Sequence, residues 1–98
     1  MINNKQKAYL KALANQKKPL FQVGKDGLTE NLIHTVQDSL EAHELMKLNV
    51  LKSCEQSIQE VAIELARETH SEIVQTMGRV VTLYRKSREK TNGIILPK

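Results

Sequence analysis

A small α/β fold with a mixed four-stranded sheet is the class this 98-residue sequence predicts, in the order α-β-α-β-α-β-β and packed as a two-layer sandwich. Three observations predict it. Two stretches carry apolar residues at helical spacing behind good N-capping residues. Short β-rich apolar runs alternate with the helical stretches, which argues for a right-handed crossover between strands. The last two runs are joined by Gly78-Arg79, and a glycine first in a two-residue loop suits a type II′ hairpin, so part of the sheet must be antiparallel.

Asn4 to Gln16 reads as a helix with Ala8, Leu10, Leu13 and Ala14 on its apolar side and Lys5, Lys7 and Lys11 left for solvent. Pro19 forbids its continuation, and Leu20 to Val23 then makes a short buried strand. Gly24-Lys25-Asp26-Gly27 is a loop. Beyond it Leu28, Leu32, Ile33, Val36 and Leu40 mark a helix through about Ala42, with Thr29 as N-cap. Glu44 to Lys52 has the composition of a mostly buried strand. Ser57 and Glu60 form a capping box for a third helix, whose stripe is Ile58, Val61, Ala62, Leu65 and Ala66. Ile73 to Met77 and Val80 to Tyr84 are the hairpin strands. The sequence thus divides into a body, residues 1–85, and a basic polar tail, 86–98, mobile unless Ile94 to Leu96 dock on the body.

Composition narrows the function. At 40% apolar and 27% charged residues the chain is an ordinary globular sequence, and its length suits one domain. Cys54 has no second cysteine to pair with, the N-terminus has no apolar export segment and no apolar run is long enough to span a bilayer, so the expected location is cytoplasmic. The net charge of +4 hides a segregation. Up to Gly27, six lysines oppose Asp26 alone; from Leu28 to Gly78, nine carboxylates oppose Lys47, Lys52 and Arg67; from Arg79 onward, six cations oppose Glu89. Two basic ends on one face would make a dipolar body that attracts a polyanion.

Catalysis finds little footing. His34, His43 and His70 are scattered, the last two where helices end, and none neighbours a nucleophile signature. There is no Cys-x-x-Cys, no His-x-x-x-His and no phosphate-loop nucleotide motif, so no catalytic residue, metal site, cofactor or small-molecule substrate is expected. Glu60, Glu64, Glu68 and Glu72 repeat every four residues, the pattern of a solvated helix face.

The glycine loop is the more telling feature. Two glycines at a helix N-terminus let backbone N–H groups face outward where the helix dipole favours an anion, and Lys25 adds a cation. Alone, such a Gly-x-x-Gly is more often a plain turn. Set among lysines it can clamp a nucleic-acid backbone, as the KH domain does with a loop of this pattern. With Tyr9, Phe21 and Tyr84 as the only aromatic residues, base stacking is poorly served, and backbone and shape recognition of structured RNA fits better.

Gln6 to Ala14, Val23 to Thr29, Glu41 to Lys47 and Gly78 to Arg85 stand together in an order that resembles the CRM domain family (chloroplast RNA splicing and ribosome maturation), in particular its free-standing bacterial YhbY-like members. The resemblance implies an RNA-binding fold akin to the C-terminal domain of translation initiation factor three, acting on precursors of the large ribosomal subunit. It makes Gly24, Lys25, Asp26 and Gly27 the RNA-contacting loop; Asp26 is an acidic departure that would cap the following helix. A single copy favours the ribosomal role over splicing.

The resulting expectation is a non-enzymatic protein that binds ribosomal RNA within pre-large-subunit particles. Gly24 and Gly27 would offer N–H groups, Lys25 a charge, and Lys5, Lys7, Lys11, Lys17, Lys18, Arg79, Arg85 and Lys86 a wider basic surface. The rival is an adaptor that docks its acidic faces, Glu30, Asp38 and Glu41 with Glu60, Glu64 and Glu68, on a ribosomal protein or assembly factor. DNA binding is weaker, because no helix-turn-helix pattern is present.

Overall fold

The computed structural model describes residues 2–88 and 93–97. Its elements run α1 (Asn4–Ala14), β1 (Phe21–Val23), α2 (Glu30–His43), β2 (Leu45–Val50), α3 (Ile58–Thr69), β3 (Glu72–Met77) and β4 (Val80–Tyr84), the expected order. The four strands form one mixed sheet in the order β1-β2-β4-β3, with β1 parallel to β2 and the other pairs antiparallel. No helix among the described residues is long and apolar enough to cross a membrane.

Local chemistry accounts for the helix ends. Thr29 accepts from the Leu32 N–H at 3.1 Å, and Ser57 and Glu60 close a reciprocal capping box. A second box, Asn3 with Gln6, opens α1. That helix stops two residues before the expected Gln16, because the Gln16 and Lys17 N–H groups turn back to carbonyls only three residues earlier. The hairpin turn has Gly78 at φ +59°, the positive angle a type II′ turn requires at its first position. β3 carries a bulge between Ile73 and Gln75.

Alternation along the strands builds two cores. Met46, Leu48, Val50, Val81 and Leu83 face α2 and α3, where they meet Val36, Leu40, Val61 and Leu65, all essentially inaccessible. Each such side chain adds about 1.5–3 kcal/mol by leaving water. Their neighbours Leu45 and Tyr84 point the other way, into a smaller core with Leu10, Ala14 and Val74. Helices therefore cover both faces, a fuller layering than the two-layer sandwich, because the apolar stripe of α1 seats on the side that α2 and α3 leave free. At the strand ends, Leu20 stays 53% exposed although its N–H pairs with the Lys47 carbonyl, so the buried part of β1 is shorter than expected.

Ile94 and Leu96 complete the smaller core. They are held by Glu44, which is 1% exposed and accepts from the Ser87 and Ile94 N–H groups at 2.7 and 2.6 Å, and by Gln6, which donates to the Pro97 carbonyl. Part of the expected tail thus docks as a strap; its residues 89–92 and 98 lie outside the described residues.

Candidate nucleic-acid interface

Parallel pairing of β1 with β2 decides what surrounds the glycine loop. Val23 lies beside Val50, and Asn49 beside Val80, so the C-terminal ends of β1 and β2 and the start of β4 share one end of the sheet. The Gly24–Gly27 loop and the Gly78-Arg79 turn meet there, the latter pinned by a 2.7 Å bond from the Val50 N–H to the Arg79 carbonyl.

Within the loop the Gly27 N–H donates to the Gly24 carbonyl at 3.0 Å, closing a β-turn with Lys25 and Asp26 exposed at its centre. Gly27 lies at φ +67°. Its contribution is that backbone angle, not the outward donor expected of it; the amides of Lys25 and Asp26 are the ones the turn's own bond does not use. Asp26 does not cap α2, since Thr29 already does. The turn leads straight into the N-terminus of α2, where the helix field favours an anion.

The lysines of the N-terminal segment lie on α1 and on the chain that leads from it to β1. Lys5 and Lys11 are exposed on α1 and Lys7 is half-buried, while Lys17 and Lys18 are exposed on the segment that carries the chain to β1. The Lys47 ammonium donates to the Lys17 carbonyl at 3.2 Å, which adds a cation to this side. No carboxylate occurs before Asp26. On the opposite side, Glu30, Asp38, Glu60 and Glu68 are exposed on α2 and α3. The sheet therefore separates a side rich in lysine from one rich in carboxylates, with Glu72 of β3 and Arg67 of α3 as exceptions.

The C-terminal cations do not all join the basic layer. Arg79 does lie at the loop end, and its Nε is buried with no partner among the described residues. Arg85 is different: its guanidinium donates to the Thr69 carbonyl at 2.9 Å and the Gln37 carbonyl at 3.3 Å, and it stands 3.8 Å from Glu41. It fastens the C-terminal stretches of α2 and α3 and has little left for a ligand. Lys86 follows it beyond the far end of β4, and that strand alone separates its two ends by about 13 Å at roughly 3.3 Å per residue. Of the sequence-predicted set the structure joins Gly24 to Gly27 with Arg79, places Lys5, Lys7, Lys11, Lys17 and Lys18 along the α1 side, and sets Arg85 and Lys86 apart. Sequence reasoning passed over Gln22, Lys47 and Asn49, polar positions on the α1 side of β1 and β2; their signal is the period-two break in two otherwise apolar runs.

Comparison with known proteins gives the family and the fold. The model of the CRS1/YhbY (CRM) domain matches residues 2–85. A Bacillus subtilis protein named "Probable RNA-binding protein YqeI" is 42% identical over 89 residues, 91% of this chain and 93% of its own length. A Haemophilus influenzae protein named "RNA-binding protein" is 36% identical over 90% of this chain and 89% of its own. Among solved structures, the solution structure of SAV1595 from Staphylococcus aureus, described as a candidate RNA-binding protein, superposes with a TM-score of 0.82 at 42% identity, covering 99% of this chain and all of that one.

Proposed function

Because the chain belongs to the CRS1/YhbY (CRM) domain family, we propose that it is a non-enzymatic, cytoplasmic RNA-binding protein that associates with precursors of the large ribosomal subunit and assists their assembly. Relatives named for RNA binding support the partner class. The observation that carries the site is the grouping of charge: the glycine loop, Lys25 and Arg79 close one end of the sheet, while Lys5, Lys7 and Lys11 lie on α1 and Lys17 and Lys18 on the chain that leads from it to β1. A phosphate at the loop would meet the Lys25 and Asp26 amides, the Lys25 ammonium and the start of α2, while Lys5, Lys7, Lys11, Lys17 and Lys18 extend the field along the RNA. Structured RNA suits this surface, because its cations read backbone and shape and need no aromatic stacking platform.

Sedimentation of cell lysate through sucrose gradients, with and without ribonuclease, tests the reading. Wild-type protein should travel with immature large-subunit particles, leave them on ribonuclease treatment, and be depleted from them by Lys25→Ala. Recovery only at the top of the gradient would contradict the ribosomal assignment. Co-migration that resists ribonuclease and is lost on neutralising Glu60, Glu64 and Glu68 would favour the adaptor reading, for which the exposed acidic layer speaks.

A further inference from the structure

Strand register lays out the α1 side of the sheet in three rows. Leu45, Tyr84 and Glu72 form the row under α1 and the strap. Lys47, Thr82 and Gln75 form the next. Gln22, Asn49, Val80 and Met77 form the row nearest the glycine loop, and this one is open: Gln22 is exposed, Asn49 and Val80 are half-buried and Met77 is 60% exposed. Half of this shelf is carboxamide and half apolar. An apolar row there would demand a cover, and a charged one would be a solvated face; this mixture does neither. Arg79, with its unpartnered buried Nε, stands at the hairpin end of the shelf, and a groove of about 650 Å³ joins Gln22 and Asn49 to Lys18 at the other.

We infer that this shelf seats an unpaired RNA nucleotide and gives the protein a preference for RNA over DNA. The inference rests on the RNA-binding reading above. Charge selects the occupant, since the cations at the two ends of this four-strand row, roughly 14 Å apart at about 4.8 Å per strand, suit phosphates of one strand and the first 25 residues contain no carboxylate to oppose them. The base lies on Val80 and the polarisable Met77 thioether. The ribose 2′-hydroxyl, which both donates and accepts, meets the Gln22 and Asn49 carboxamides, which do the same. That hydroxyl is the group by which a protein distinguishes RNA from DNA.

The test is a titration of wild type, Lys25→Ala and the Gln22→Ala/Asn49→Ala double variant against a stem–loop RNA with 4-thiouridine in its loop and a DNA of the same sequence. The double variant should bind the RNA about fivefold to tenfold more weakly, bind the DNA as before and keep the wild-type salt slope, because it loses hydrogen bonds and no phosphate contact. Equal losses for RNA and DNA, or none, would overturn the shelf. If Lys25→Ala weakens both nucleic acids while the double variant matches wild type, the shelf alone is wrong; if wild type binds neither, the underlying reading falls with it. Ultraviolet crosslinking of wild type to the same RNA tests the shelf independently of how the variant folds. Crosslinks should map to peptides containing Met77 and Val80, and crosslinks confined to α2 and α3 would refute the placement.

Discussion

At Gly27 the backbone sits at φ +67°, where a Cβ is strained whatever space surrounds it, whereas at Gly24 a Cβ would make ordinary contacts of 3.6 Å to Leu51 and 3.7 Å to Ser53. The two glycines of one motif therefore do different jobs. Gly27→Ala should lower unfolding free energy by about 1 kcal/mol, and Gly24→Ala by distinctly less, as read from urea midpoints. Equal losses would mean that the turn relaxes into another conformation. Tyr84 supplies a pH test. Burial, and after it the neighbouring Glu44 carboxylate, pushes its phenol above the ordinary 10.0. The folded state then holds that proton more tightly than the unfolded chain, so stability is intact below the ordinary value and falls as pH rises through the raised one. Tyr84→Phe should flatten the decline in urea midpoint between about pH 9 and about pH 11; an unchanged decline would place the alkaline sensitivity elsewhere.

Among the elements, Glu44 carries the most consequence for its size. It ends α2 at φ +66°, lies nine-tenths and more buried, and its carboxylate takes both the Ser87 and Ile94 N–H groups, so one side chain joins a helix end to the strap that closes the smaller core. Glu44→Ala would strand two backbone donors and should cost about 2–4 kcal/mol. Hydrogen exchange should then quicken at Leu10 and Ala14 in α1 more than at Val61 and Leu65 in α3; uniform quickening would show that the strap is not what seats α1. Much of the fold was legible where the deciding interactions are local. Thr29 and Ser57 cap their helices within three residues, and the stripes of α2 and α3 repeat within one element. That Ile94 to Leu96 could dock was legible in their apolar composition, but what holds them was not, because Gln6 meets Pro97 across 91 positions and Glu44 meets Ile94 across 50. The side of the sheet taken by α1 depends on which of Leu45 and Met46 faces it, and period-two alternation fixes that only relative to the partner layers. The bonds of Arg85 are illegible for a related reason: a guanidinium that joins the middle of α2 to the end of α3 has the same sequence signature as one in solvent, until α2 and α3 are packed side by side.

At the scale of the whole molecule, electrostatics decides where a polyanion would bind. A sheet with most of its exposed lysines toward one side and most of its carboxylates toward the other turns a modest net charge into a directed field, and the proposed interface requires that this field draw an RNA to the α1 side. Each phosphate neutralised contributes about 0.7–0.9 to the slope of log affinity against log salt. The most direct measurement is that slope, for a fragment of large-subunit ribosomal RNA, in wild type, in Lys7→Ala/Lys11→Ala/Lys17→Ala/Lys18→Ala and in Glu60→Gln/Glu64→Gln/Glu68→Gln. The lysine variant should bind more weakly at every salt concentration, with a slope shallower by up to about 3 units, and the glutamate variant should bind at least as tightly as wild type. Wild-type affinity and slope in the lysine variant, with binding lost in the glutamate variant, would place the interface on the acidic layer and contradict the account.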